Sequence, residues 1–246
     1  IARAISLVVD TPLILDTALG QSVPVKFSAR NADGFPGSVA WTLKVSDNQG
    51  LAVWQSSGTG NPPDPIIWDG KTKDGSWIVG LQRFTARWEM SGAALDGEVV
   101  VEKDFMTGIP VVSEGGRLRI IAPDILFEGN NPDPFAGDAS QIDSNIDLLR
   151  RLGRQLARVS DHRIVIEGYA TYVKGDDPKS MAREQKYELV PLSRERAHEV
   201  RKSLFTIGVD WKQMEIIAKG GSDPVAPYDD KSQAWKNRRV IMYLEG

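Results

Sequence analysis

The chain of 246 residues is 41% hydrophobic and 26% charged, which is ordinary for a globular protein and allows one large domain or two smaller ones. It has no cysteine and only two histidines, His162 and His198, so a disulfide framework, a thiol nucleophile and cysteine-ligated zinc are excluded. The net charge of −3 argues against a nucleic-acid partner, and no stretch reaches the roughly 18 apolar residues of a membrane-spanning helix.

Residues 1–112 are predicted to form an all-β domain. Apolar and polar residues alternate over 23–30, 39–45 and 84–88, which places one face of each strand in a core. Clusters of Asn, Asp, Gly and Pro separate these segments, as turns do. Short strands with such turns are typical of a β-sandwich.

Five of the seven tryptophans lie in this first part of the chain. Trp41 and Trp88 fall on the apolar faces of their strands, so we expect them in the core. Trp54 and Trp77 fit the alternation less clearly and are the better candidates for exposure. A stacking platform for carbohydrate is the alternative interpretation, and core packing is favoured over it.

A short motif in the same region carries a resemblance. Trp68-Asp69-Gly70 is followed by Asp74-Gly75 and then by Gly80. Asp-Gly pairs suit turns that need a positive φ. The segment resembles the signature of the FlgD-type immunoglobulin-like fold, which implies an immunoglobulin-like sandwich that serves as a structural or assembly module.

Glycine and proline then mark a predicted boundary between two domains. Residues 105–117 include Gly108, Pro110, Gly115 and Gly116, which is the most natural place for a short linker. The second domain is therefore expected at 117–246.

The second part has alternating strand and helix patterns. Asp138 is expected to cap a helix, because Gln141 follows at capping-box spacing and apolar residues then recur every three or four positions. The other expected elements are a strand at 118–127, a strand at 163–168, a polar connection at 172–188, a helix from about Ser193 to Gly208, and strands at 215–220 and 239–244. This order predicts an α/β sandwich with helices on one side of a sheet.

Three motifs in this part carry a second resemblance. They are Leu192-Ser193 with Arg196-Ala197, Val200 and Leu204; Gly220 with Pro224-Val225; and Asn237-Arg238-Arg239-Val240. Over about 130 residues the order and spacing resemble the OmpA-like C-terminal domain, a peptidoglycan-associating module of diderm bacterial envelopes. The resemblance implies a mixed sheet with helices on one side.

The same resemblance implies a binding site for diaminopimelate, the zwitterionic residue of the peptidoglycan stem. Arg196 matches the arginine that binds the ligand carboxylate, and a guanidinium suits that task. Thr171 stands where the family has an aspartate for the ligand ammonium group, and Leu189 stands where it has an asparagine. An unpaired, desolvated ligand cation costs about 3–5 kcal/mol, so these two departures argue against ordinary binding.

Two acidic residues in the long connection between Thr171 and Arg196 offer a substitute. Asp176 or Asp177 would have to fold back and supply the missing carboxylate. A solvated turn at Asp176-Asp177-Pro178 is the favoured interpretation.

The closing motif has two interpretations as well. The resemblance implies that Asn237 and one of the two arginines brace the sheet and its loops. Arg238 with Arg239 would alternatively bind a phosphate or an acidic glycan, which the neutral charge balance of this half makes less attractive.

We therefore expect a non-enzymatic protein of the periplasm and cell envelope of a diderm bacterium, without a cofactor or metal. Either the domain is a structural or interaction module that has lost or altered diaminopimelate binding, or it is a peptidoglycan anchor that uses Arg196 and a substitute acid. The partner is peptidoglycan or another envelope protein. Outer-membrane association would come through a segment preceding Ile1. An enzyme is disfavoured because no nucleophile is paired with a base.

Overall fold

The computed structural model describes residues 5–16, 25–31, 34–35, 37–76, 78, 80–92, 97–122, 125–173 and 177–246. The chain divides into two compact units, Ile1–Pro110 and Val111–Gly246. In the described residues, every helix is too short or too polar to cross a bilayer.

The first unit is built from β-strands. They are β1 (Ile5–Asp10), β2 (Ile14–Asp16), β3 (Val25–Asn31), β4 (Ala40–Ser46), β5 (Ala52–Thr59), β6 (Ile66–Trp68), β7 (Arg83–Ser91) and β8 (Val99–Met106). Two antiparallel sheets have the strand orders β1-β3-β6 and β5-β4-β7-β8. Among the described residues of this unit every regular element is a β-strand, which agrees with the predicted all-β domain.

The alternating residues of these strands form one core with members from both sheets. Trp41 and Trp88 are buried there as predicted, and their rings stack at a centroid distance of 5.2 Å. Trp54 is more exposed than these two but still half-buried, because its ring stacks between Phe27 and Trp68 at 5.9 Å from each. Trp77 lies outside the described residues.

The Trp-Asp-Gly motif builds a pair of turns around a buried indole. Trp68 is fully buried, and its Nε1 donates to the carbonyl oxygen of Lys71 at 2.7 Å. Gly70 and Gly75 have φ angles of +84° and +83°, which explains why glycine follows each aspartate. The Thr72 hydroxyl and the Ser76 main chain lower the pKa of Asp74 by donating to its carboxylate.

The linker expected at 105–117 is instead strand. β8 continues to Met106, and β9 (Ile109–Glu114) pairs antiparallel with β10 (Arg117–Ile120). Gly115 and Gly116 have φ angles of +57° and +80° and form the two-residue turn of this hairpin. Glycine here serves a tight turn rather than a flexible connection.

The second unit combines a mixed sheet with helices. Its further elements are α1 (Ala139–Leu156), β11 (Arg163–Tyr169), α2 (Pro178–Glu184), α3 (Val190–Ile207), β12 (Met214–Gly220) and β13 (Val240–Glu245). The strand order is β12-β11-β13-β10-β9, with β11 parallel to β12 and antiparallel to β13. The α/β architecture is as predicted.

Helices α1 and α3 begin and end largely where the sequence indicates. Asp138 caps α1, since its carboxylate accepts from the Gln141 amide at 3.0 Å. Gly208 ends α3 with a φ of +111°. Helix α3 packs on β11 and β12, and its main chain lies so close that a Cβ on Gly168 would sit 2.0 Å from the Ser193 oxygen.

The polar connection expected at 172–188 is largely helical. Asp177 caps α2 by accepting from the amides of Lys179 and Ser180, and Pro178 occupies the first turn. A π-helical turn, Gln185–Leu189, joins α2 directly to α3. The sequence pattern misses α2 because Met181 is its only large apolar residue.

Candidate functional site

Arg196 on α3 is completely buried and makes three hydrogen bonds to main-chain carbonyls. Its Nη2 donates to Glu128 at 2.9 Å, its Nη1 to Tyr169 at 3.1 Å and its Nε to Asn131 at 3.3 Å. Its guanidinium also lies 5.1 Å from the centre of the Phe127 ring. All acceptors are neutral, so this cation has no carboxylate partner among the described residues.

Burial lowers the pKa of Arg196 to about 10, and the positive charge of Arg238 contributes in the same direction. The guanidinium therefore remains charged at neutral pH, but its burial carries a desolvation cost. An anion at this place would relieve that cost.

Thr171 lies just beyond the end of β11, two residues after the carbonyl of Tyr169 that Arg196 contacts. Its Oγ1 is buried and has no hydrogen-bond partner. The side chain at position 171 is thus a neutral hydroxyl that is free to donate.

Asp177, one of the two proposed substitute acids, is exposed and caps α2, with hydrogen bonds of 2.8 Å and 3.2 Å to main-chain amides. The solvated turn favoured for this segment is corrected to a helix start. Asp176 lies outside the described residues.

A cavity of about 390 Å³ lies between the start of α3 and the segment that follows β11. Its lining residues are Asn130, Val173, Glu184, Glu188, Leu189 and Leu192. Glu184 is 2% exposed, and its Oε1 accepts from the Val173 amide at 2.8 Å. A buried carboxylate from α2 therefore reaches the chain only two residues after Thr171.

Asn237 braces a loop. Its Oδ1 accepts from the amides of Val225 and Ala226 at 2.8 Å and 3.0 Å, and its Nδ2 donates to the Ala226 carbonyl at 2.8 Å. The side chain is 1% exposed. These three bonds fix the loop before the 3₁₀ turn Ala234–Asn237.

The two arginines of the closing motif differ. Arg239 donates to the Asp223 carbonyl at 2.9 Å, and its guanidinium lies 4.0 Å from the centre of the Tyr169 ring. Arg238 forms no ion pair within the described residues, and its buried Nε has no hydrogen-bond partner. Its Nη1 lies 3.3 Å from where a Cβ on Gly129 would be.

The two histidines are set in ordinary surroundings. His162 Nδ1 lies 2.9 Å from the Asp161 carboxylate, and His198 meets the Trp211 ring edge to face at 5.8 Å. Within the described residues, neither ring is hydrogen-bonded to a hydroxyl group. No group of three metal-ligating side chains occurs in that part of the chain either.

The OmpA family model matches residues 134–238 of this chain. Residues 134–238 form an OmpA family domain. The match contains Thr171, Leu189, Arg196, Asn237 and Arg238, so all of these lie inside the OmpA domain.

Solved structures with a similar fold cover about half of the chain. The peptidoglycan-associated lipoprotein from Burkholderia pseudomallei is 23% identical, with 50% of this chain and 89% of that one covered and a TM-score of 0.40. The C-terminal domain of Helicobacter pylori MotB is 20% identical, with 51% and 86% covered and a TM-score of 0.38. A putative MotB-like protein from Desulfovibrio vulgaris is 22% identical, with 56% and 78% covered and a TM-score of 0.40. Comparison with curated proteins gives no match.

Three residues near the candidate site, Glu184, Gln185 and Glu188, were not singled out from the sequence. Glu184 and Glu188 are missed because α2 and the π-helical turn are missed. Gln185 in that turn accepts from the Gly221 amide at 2.8 Å and donates to the Lys219 carbonyl at 3.0 Å, which ties the helix to the end of β12. The pair Asp177-Pro178 was the available signal, since it is typical of a helix start.

Proposed function

We propose that this chain is a non-enzymatic periplasmic protein of the bacterial cell envelope whose OmpA domain is a structural or protein-interaction module. In this proposal the domain has lost or altered the recognition of diaminopimelate. The OmpA family match supports an envelope role, and the surroundings of Arg196 support the change in binding.

The observation that carries the proposal is the complete burial of Arg196. Its three hydrogen bonds hold the main chain at Glu128, Asn131 and Tyr169, so the side chain already has a structural task. Thr171 also offers no negative charge to a ligand ammonium group. Both features favour loss of the zwitterionic ligand.

A titration tests the proposal directly. The whole chain is titrated calorimetrically with a diaminopimelate-containing stem peptide, beside a Thr171→Asp variant that returns the charge. We expect no heat from the natural chain and measurable binding by the variant. Saturable binding by the natural chain would contradict the proposal.

A second experiment separates a structural role of Arg196 from a binding role. Arg196→Lys should lower the melting temperature by several degrees, because an ammonium cannot reproduce three divergent hydrogen bonds. Arg194→Lys, at an exposed site on the same helix, is the matched control and should leave the melting temperature unchanged. Pull-down by purified sacculi should be absent for all three proteins.

The alternative is a peptidoglycan anchor with a substitute acid, and one observation favours it. The buried carboxylate of Glu184 lies beside the Val173 amide, close in the chain to Thr171. If this anchor is correct, the natural chain sediments with sacculi, and Glu184→Gln abolishes the effect while Asp177→Asn does not.

For the first unit we propose an immunoglobulin-like sandwich of the FlgD type that serves in assembly. Its two antiparallel sheets with a common core and the paired Asp-Gly turns after Trp68 support this proposal. A pull-down from envelope extracts with the whole chain tests for a bound protein partner.

A further inference from the structure

Strand β5 (Ala52–Thr59) forms one edge of the four-stranded sheet of the first unit, with β4 on its inner side. The Gly60 amide donates to the Val39 carbonyl at 2.8 Å, so these two residues form a hydrogen-bonded pair of the antiparallel ladder. Such pairs recur at every second position along the register of β4 and β5. The main-chain groups that point away from β4 are consequently those of Gln55, Ser57 and Thr59.

The outer side of β5 is occupied at one end only. The Lys73 amide donates to the Val53 carbonyl at 2.9 Å and thereby covers the start of the strand. In the described part of the chain, no strand or turn is bonded to this side from Gln55 to Thr59. Gln55, Ser57 and Thr59 are all exposed. Their outward N–H and C=O groups therefore form a template on which another strand can pair.

The other edges of these two sheets are protected, and this one is not. Strand β6 has only three residues, β8 carries Glu102, Lys103 and Asp104, and β1 ends in Asp10. Short strands, charged side chains and proline are the usual devices that keep an edge from pairing with another chain. Strand β5 has eight residues and contains neither a charged residue nor a proline.

The core next to this edge is incompletely covered as well. Trp41, Leu43 and Val45 on the core side of β4 are buried, whereas Trp54 and Gly58, their neighbours on β5, are only half-buried. A further strand beside β5 would extend the sheet on this side. Apolar surface that now contacts water would then be buried, which favours the addition.

We propose that the edge of β5 pairs with β5 of a second copy of this chain, antiparallel across a two-fold axis at Ser57. In this pair Ser57 lies opposite the partner's Ser57, and Gln55 lies opposite the partner's Thr59. A two-fold interface must be self-complementary. Uncharged hydroxyl and amide side chains meet this requirement, because they both donate and accept and bring no like charges together.

The inference goes beyond the proposed function, because it rests on the edge of β5 and not on the FlgD-type assignment or on what the OmpA domain binds. The paired segment is short, so we expect a weak and reversible dimer.

Sedimentation of the whole chain over a range of concentrations measures the dimer. Ser57→Lys places like charges opposite each other at the axis and should raise the dissociation constant of the dimer at least about tenfold. Ser6→Lys adds the same charge at an exposed position of another edge strand, β1, and should change that constant by less than about twofold. Both positions are exposed, so the melting temperature of the dilute protein should stay the same in each variant.

Single cysteines then report which residues face each other, since the natural chain has none. Ser57→Cys should give a disulfide-linked dimer under mild oxidation, because opposite residues of a hydrogen-bonded antiparallel pair have Cα atoms about 5.5 Å apart, within disulfide range. Gln55→Cys is the matched control, since its two copies would lie about 14 Å apart along the strands. Mixing Gln55→Cys with Thr59→Cys should restore the crosslink.

Three results would overturn the inference. The first is a natural chain that remains monomeric up to about 1 mM. The second is a dimer of unchanged affinity in Ser57→Lys, which would place the contact on another surface. The third is a Ser57→Cys variant that crosslinks no faster than Gln55→Cys alone.

Discussion

Asn145 on α1 and Arg196 on α3 bind the main chain of the same loop. Asn145 Nδ2 donates to the carbonyls of Leu126 and Pro134 at 2.8 Å and 2.6 Å, and Arg196 donates to those of Glu128 and Asn131 between them. Both side chains are buried, at 2% and 0% exposure. One polar residue from each of two helices therefore fixes the loop beside the site.

Asn145→Ala should destabilise the second unit by about 3 kcal/mol, because buried main-chain groups of Leu126 and Pro134 lose their partners. Urea unfolding followed by circular dichroism measures the change. Ser144→Ala removes an exposed hydroxyl from the same helix and should have almost no effect. A loss below about 0.5 kcal/mol for Asn145→Ala would show that the loop needs no such clamp.

Gly168→Ala should destabilise the fold by roughly 3 kcal/mol, because the new methyl would meet the Ser193 oxygen and the main chain of α3 would have to move. Thermal unfolding measures this change. Gly37→Ala is the control, since it has open space around it and no positive φ. Equal melting temperatures for the two variants would contradict the close approach of α3 to β11.

Asp177→Ala should cost about 1 kcal/mol, because the amides of Lys179 and Ser180 lose their acceptor. Asp177→Asn should be nearly neutral, since asparagine caps a helix as well as aspartate does. Chemical denaturation of both variants separates the effect of the capping hydrogen bonds from the effect of the negative charge. If Asp177 acted through its charge, the asparagine variant would be as damaging as the alanine variant.

Glu167 should make stability depend on pH in the acid range. Burial opposes its ionisation, but hydrogen bonds from Tyr169 and Arg117, together with the positive charges of Lys219 and Arg117, lower its pKa below the ordinary value of 4.5. The ionised carboxylate therefore stabilises the fold above about pH 4.5, and this contribution is lost as the pH falls through the lower folded value.

Glu167→Gln should accordingly cost about 3 kcal/mol at pH 7 and give a shallower loss of stability below pH 4.5. Melting temperatures from pH 7 to pH 3 provide the measurement. Glu215→Gln removes an exposed partner of Arg163 and should cost less than about 1 kcal/mol. If the melting temperatures of the natural chain and Glu167→Gln fell in parallel between pH 7 and pH 3, Glu167 would not be the group responsible for the pH dependence.

The sequence predicted those elements whose signals are local. Asp138 with its capping partner and a regular apolar stripe defines α1, and Gly208 defines the end of α3. Helix α2 carries no such stripe, since only Glu184 of its residues is buried. Its stability comes from a cap and from tertiary contacts, which the apolar pattern does not record.

The sequence singled out candidate residues, but their surroundings were not predictable from it. The motif indicated Arg196 and Thr171, yet the acceptors of Arg196 at Glu128 and Asn131 lie 68 and 65 residues away along the chain. Only the folded chain brings these carbonyls to the guanidinium. The burial of Glu184 depends in turn on the π-helical turn, which has no recognised sequence signal.

The π-helical turn Gln185–Leu189 also makes the orientation of α2 relative to α3 depend on the exact number of residues between them. Successive residues of an α-helix are about 100° apart around its axis, so one residue more or less would rotate α2 by that angle against α3. Glu184 and Arg196 could not then keep both the Val173 amide and the Glu128 carbonyl as partners. Insertions and deletions between them are therefore more damaging than most exchanges of side chain.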